Sequence, residues 1–279
     1  MDNRSATRRD QEIVSAINRR TAAGLTVVGR ALEGRLGGAI YAEWPDGRPA
    51  VVTRWLSSLA EAHRTVEVLD FVRDRGLPVP RHDLVVALDD GVVLVQERLP
   101  AAPWRRLTTA RIDAIVEIND RFAGALAARP DVPVPPLRLH RRAGPSPSHE
   151  TLERYSPRSR RVLDQILRLG AGDATDQVGP DLVHVDLSAA NVLFDESDHA
   201  TAVVDWNLGA YRGDRLFALV QTRFDREWFV RSPKADPVET AAAAHLDTIL
   251  ADRIGPDTLR RYWACWLRHQ LHRAMRSEP

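Results

Sequence analysis

The stretch over residues 181–207 constrains this chain more than any other, because it sets polar residues at fixed distances from short apolar runs. Leu182 and Val183 lead into His184-Val185-Asp186-Leu187, three small residues and Asn191, after which Val192, Leu193 and Phe194 read as a strand. Turn-forming residues follow over 195–199, and a second strand over 201–204 ends on Asp205. One hairpin therefore presents an aspartate, an asparagine and a second aspartate.

The spacing His-x-Asp-Leu-x-x-x-Asn, with an aspartate after the next apolar strand, is that of a kinase catalytic loop and its metal-binding aspartate. Phosphoryl transfer asks little of a protein beyond a carboxylate to take or orient the proton of the attacking hydroxyl. It also needs hard oxygen ligands for magnesium on the phosphates. Asp186 suits the first role, Asn191 and Asp205 the second, and His184 a positioning role in which it bonds backbone near Asp205 and fixes the loop. Read residue by residue, each acid is an ordinary turn carboxylate. The joint spacing at strand ends selects the catalytic reading.

At these residues the sequence resembles the aminoglycoside phosphotransferase and choline kinase-like family of small-molecule kinases. That family carries His-Gly-Asp-Leu-x-x-x-Asn and an Asp-Trp pair, matched here by His184-Val185-Asp186 and Asp205-Trp206, with Val185 in place of the usual glycine. Gly213-Asp214-Arg215-Leu216-Phe217-Ala218-Leu219 is similar to the family's Gly-Asp-x-x-x-Asp-Leu, except that Ala218 replaces its second acid. The resemblance implies a two-lobed α+β protein-kinase-like fold: a five-stranded antiparallel sheet with one packed helix, then a mostly helical lobe. It further implies ATP or GTP as donor, magnesium as cofactor, and a small-molecule acceptor.

At 279 residues the chain can bury a large core in one domain or two lobes, and we expect lobes over 1–99 and 100–279. A formal charge of +1 carries no nucleic-acid or membrane footprint. With no long apolar run and a charged N-terminus, the expected location is the cytoplasm. Cys265 is the only cysteine, so no internal disulfide forms. Lys234 is the only lysine, which matters for the phosphate site below.

A helical pattern over 6–22 precedes three strands over 25–31, 39–44 and 49–54. The connection between the first two carries Gly34, Gly37 and Gly38, whose backbone N–H groups would cover nucleotide phosphates. The third strand matches the Val-Ala-Ile-Lys strand of kinases if Val52 and Arg54 point inward, which makes Arg54 the candidate replacement for the phosphate-holding lysine. A surface strand arginine is the competing reading. The amphipathic helix over 56–74 offers Glu61 and Glu67 as partners for that cation. Strands over 84–88 and 92–96 follow, and Gln96, Glu97 and Leu99 form the hinge whose backbone would bond the purine.

In the second half, helices are expected over 107–128, 156–169, 214–231, 237–253 and 256–276, with a proline-rich loop over 129–148 that serves as a substrate lid or as a connector. The near balance of acids and bases from Ser232 onward suits a less charged acceptor than a polycationic aminoglycoside. Among the acceptors that the family resemblance implies, a sugar hydroxyl of a macrolide or nucleoside antibiotic is favoured, in the resistance or self-protection role that the resemblance implies. Trp228, Tyr262, Trp263 and Trp266 are either stacking residues or core, and His269 with His272 is a polar pair or part of a metal site. Three other readings keep some of these residues: a choline- or homoserine-type metabolite kinase, a nucleotide-binding protein with little catalysis, and a hydrolytic metal centre on His184, Asp186 and Asp205.

Overall fold

The computed structural model describes residues 3–4, 7–31, 38–55, 57–100, 106–135, 137, 139, 149–171 and 178–277. Its N-terminal part alternates β-branched runs with tight turns: β1 (Asn3–Arg4), α1 (Arg8–Thr21), β2 (Thr26–Ala31), β3 (Ile40–Glu43), β4 (Pro49–Trp55), α2 (Leu59–Arg73), β5 (His82–Leu88) and β6 (Gly91–Glu97). The strands form one sheet in the order β1-β2-β3-β4-β6-β5, and every pairing is antiparallel. The five strands read from the sequence are all present, and β1 adds a short sixth at the edge.

Both faces of this sheet are covered. Val14 and Ile17 of α1 pack with Ile40, Ala50, Val52, Val93 and Val95, whereas Ala62 and Val66 of α2 pack with Trp55, Val92 and Leu94 on the other face. Burying each valine, isoleucine or leucine side chain among these stabilises the fold by roughly 1.5–3 kcal/mol. Both helices start on reciprocal caps, Thr7 with Asp10 and Ser58 with Glu61, which satisfy backbone donors left over at a helix start.

The rest of the chain is mostly helical: α3 (Thr109–Asp120), α4 (His149–Tyr155), α5 (Pro157–Leu169), β7 (Asp181–His184), a 3-10 turn at Ala189–Asn191, β8 (Val192–Phe194), β9 (Ala200–Val203), β10 (Ala210–Gly213), α6 (Leu216–Asp225), α7 (Glu227–Val230), α8 (Pro237–Arg253) and α9 (Pro256–Ser277). The helix expected over 107–128 ends at Asp120. Gly124, at φ +64°, turns the chain so that its N–H reaches Asp181 Oδ1 (2.7 Å) and the Leu126 N–H reaches the Pro180 carbonyl (2.8 Å). Pairing with the start of β7 thus competes successfully with helix propagation. None of the described helices is long and apolar enough to cross a membrane.

The chain divides into two units, Met1–Arg106 with Ala189–Ala210, and Leu107–Ser188 with Tyr211–Pro279. The division is not the linear one drawn at residue 99, because the β8–β9 hairpin belongs with the N-terminal sheet. The Val203 N–H donates to the Pro78 carbonyl (2.9 Å), and Thr53 Oγ1 bonds Asn207 Oδ1 (3.2 Å). Of the sequence expectations, Gly34, Gly37 and most of the proline-rich segment lie outside the described residues.

Candidate active site

In the second unit, β7 is buried along its length and ends on His184, which is 2% exposed. Its Nδ1 accepts the backbone N–H of Asp186 (3.1 Å), so the ring carries its proton on Nε2 and the turn after the strand closes on it. The Ser188 N–H returns to the Asp186 carbonyl (2.7 Å). From α6, Thr222 Oγ1 donates to the Leu187 carbonyl (2.5 Å) and Gln221 Nε2 to Asp186 Oδ1 (2.5 Å). The half-buried carboxylate of Asp186 therefore stands on a loop tied at four points.

In the first unit, Val192 pairs with Val203 and the Val204 N–H donates to the Asn191 carbonyl (2.8 Å), so Asn191 and Asp205 emerge side by side at the open end of one hairpin. Trp206 is 1% exposed and its Nε1 donates to the Val203 carbonyl (2.9 Å), which anchors the chain just past Asp205. Asp205 has φ +64°, a left-handed conformation that costs an L-residue roughly 1–2 kcal/mol and that aspartate tolerates better than most. The Trp206 anchor and the Thr53–Asn207 bond hold it there, with the carboxylate exposed. An amide oxygen and a carboxylate at one hairpin end are hard donors of the kind that suits a divalent cation such as magnesium.

The register of β4 decides the position of Arg54. Arg54 pairs with Val93 and Thr53 with Leu94, so Arg54 shares the α1 face with Val52 while Thr53 lies on the α2 face with Leu94. Val52 and Arg54 do point the same way, but towards α1, and Arg54 forms an ion pair with Asp90 in the β5–β6 turn. Its neighbour Thr53 is the residue that reaches the Asp205 segment, through Asn207. The expectation that Arg54 replaces the kinase lysine is corrected by this geometry. Glu61, one of its two suggested partners, serves as the cap of α2, bonded to Ser57 and Ser58; those bonds hold its carboxyl below the usual range. Glu67 is exposed.

Gly38, at φ +75°, is required by close approach: a Cβ there would lie 2.5 Å from the Ala31 carbonyl oxygen. At the other end of the sheet, Gln96 is buried, Leu99 is half-buried, and Glu97 accepts the Arg81 N–H (2.6 Å). The Glu97 backbone N–H is likewise used, donating to the Arg81 carbonyl (3.0 Å).

A protein-family comparison matches residues 30–244 to the phosphotransferase enzyme family. The chain belongs to that family. The match takes in β3 to β6, the loop after β7 and the Asp205 hairpin, and it bears out the family resemblance drawn from His184, Asp186, Asn191 and Asp205. Among curated proteins none matches. Among solved structures, a thermostable mutant of the aminoglycoside phosphotransferase APH(4)-Ia aligns at TM-score 0.63 and 18% identity, covering 94% of this chain and 91% of that one. An aminoglycoside-3'-phosphotransferase of type VIII aligns at 0.58 and 19%, covering 94% and 100%. An amicoumacin kinase solved with AMP-PNP, Ca2+ and Ami aligns at 0.58 and 15%, covering 95% and 89%. These likenesses show the same fold, two-lobed, α+β and kinase-like. As a member of the phosphotransferase family, this chain is an enzyme of that class.

The family's Gly-Asp segment has a structural reading in this member. A Cβ on Gly179 would lie 2.3 Å from the Gly213 carbonyl oxygen, so the chain before β7 packs directly on the end of β10. Asp214 accepts the Tyr262 hydroxyl (2.7 Å); burial, then the Asp214 charge, pushes that phenol up. Arg215 joins Asp181 (3.2 Å) to Asp120 (3.0 Å), locking β7 to the end of α3. Ala218 is fully buried and brings no polar group to its face of α6. Of the four aromatic candidates, Tyr262 and Trp266 are buried around Phe217, Trp263 is half-buried against Phe224, and Trp228 is 61% exposed. His272 bonds Thr151 Oγ1 (3.0 Å). Sequence reasoning missed Gln221 and Thr222; the available signal was their position one helical turn after Ala218.

Proposed function

We propose that this enzyme transfers the γ-phosphoryl group of ATP or GTP to a hydroxyl of a small-molecule antibiotic, in resistance or self-protection in the cytoplasm. The observation that carries the reading is the Asp186 carboxylate, fixed at the end of a buried strand by Gln221 and by the backbone bonds of its own loop. The acceptor oxygen attacks the γ-phosphorus, its proton passes to Asp186, and the bond to the bridging oxygen breaks to release the nucleoside diphosphate. Asn191 and Asp205 would hold magnesium, which neutralises phosphate charge when bound. The backbone at Gln96, Glu97 and Leu99 would face the base, and Gly34, Gly37 and Gly38 the phosphates. A sugar hydroxyl of a macrolide or nucleoside type suits the balanced charge of the C-terminal helices, and exposed Trp228 offers a face for stacking.

A second reading, nucleotide binding with little transfer, is favoured by one observation. The α2 face of β4 carries Val51, Thr53 and Trp55, and no cation. Mass spectrometry of an antibiotic panel incubated with the protein, magnesium and ATP or GTP separates the two. One added phosphoryl group on one compound, absent with Asp186→Asn, supports the first reading. Nucleotide binding without any product supports the second, and failure to bind either nucleotide overturns both.

A further inference from the structure

We infer that Gln221 is the positioning residue of the catalytic loop: its amide donates to Asp186 and holds the carboxylate in one orientation. The inference rests on the proposed role of Asp186 as proton acceptor and deepens it. Gln221 is 4% exposed, and its Nε2 lies 2.5 Å from Asp186 Oδ1, while its Oε1 has no hydrogen-bond partner among the described residues. A buried amide oxygen left in that state costs free energy of about 1–3 kcal/mol. Turning the amide over would be worse, because it would set that oxygen against a carboxylate that only accepts. The donor to Asp186 is thus retained at the expense of the acceptor, as expected of a group kept for orientation rather than for packing.

The neighbouring residue completes the device. Thr222 sits next on α6 and donates to the Leu187 carbonyl (2.5 Å), so consecutive residues of one buried helix hold the side chain of Asp186 and the backbone of Leu187. Residues 218, 221 and 222 lie on one helical face. Ala218 supplies no polar atom to that face, so Gln221 and Thr222, one turn along, carry the polar contacts to the loop.

Three variants test this. Gln221→Leu keeps the volume and removes the donor. In its crystal structure the Asp186 carboxylate leaves the orientation it holds in a crystal of the unaltered protein, a readout that needs no acceptor. With an acceptor in hand, kcat falls about 10²-fold while KM for acceptor and nucleotide stays within about threefold, the pattern of a displaced reacting group. Added to Asp186→Asn, Gln221→Leu costs nothing further, because the group it positions is gone. Thr222→Val lowers kcat less, since it frees backbone and leaves the carboxylate bonded. An unmoved carboxylate with unchanged kcat, or an undiminished loss in the Asp186→Asn background, would overturn the role of Gln221. Full activity of Asp186→Asn itself would instead overturn the proposed function.

Discussion

The loop after β7 and the end of β4 make a useful contrast, since each carries a residue that sequence spacing nominates for phosphoryl transfer. At the loop, His184 receives the Asp186 N–H and Gln221 holds the Asp186 carboxylate, so the nominated residue stands in a prepared setting. At β4, Arg54 turns to the α1 face and pairs with Asp90, and the residue that reaches the Asp205 segment is its neighbour Thr53. The loop is a tight turn whose geometry follows from adjacent residues. The strand position depends on which helix covers which face, and a shift of one residue exchanges the faces. A spacing motif is therefore more trustworthy in a turn than a single charged position is in a strand covered on both sides.

The contrast can be broken most directly at its stronger end. Asp186→Asn is expected to lower kcat by roughly 10³–10⁴-fold with nucleotide binding retained, measured by steady-state kinetics and calorimetry. Loss of nucleotide affinity instead would mean that the loop matters for folding rather than for proton transfer. Trp206→Phe removes the Nε1 bond to Val203 and part of a fully buried ring beside Asp205. It should lower unfolding free energy by about 2 kcal/mol in denaturant titration, and an unchanged midpoint would show that the left-handed Asp205 is held by other contacts.

The first unit also has a pH signature. Burial pushes the His82 imidazole down from 6.5 to about 4. A group whose folded-state pKa is depressed binds fewer protons in the native state, so its contribution is complete above pH 6.5 and is lost as pH falls from 6.5 towards 4. Thermal midpoints should decline across that window, and His82→Leu should flatten the decline. The smallest effect is expected at β4. Arg54→Ala removes a half-exposed ion pair, for less than about 1 kcal/mol of stability, and should change nucleotide KM by less than about threefold. A rise of ten-fold or more would place the guanidinium on the phosphates and erase the contrast.

The local signals determined a great deal. Period-two runs bounded by Pro45-Asp46-Gly47 and Asp89-Asp90-Gly91 gave the strands. The spacing from His184 to Asn191, with Asp205-Trp206 beyond, identified the family, because the turn geometry it encodes is set by neighbours in sequence. Tertiary structure alone decided the rest. Ala50, Val52 and Arg54 alternate with Val51, Thr53 and Trp55 on a strand buried on both faces, so the pattern could not say which set faces α1. Helix α3 stops at Asp120 because Asp181, some sixty residues on, takes the Gly124 N–H. Gln221 and Asp186 are thirty-five residues apart and meet only when α6 packs beneath the loop. No local periodicity encodes a contact of that kind; it exists once burial has chosen which faces meet.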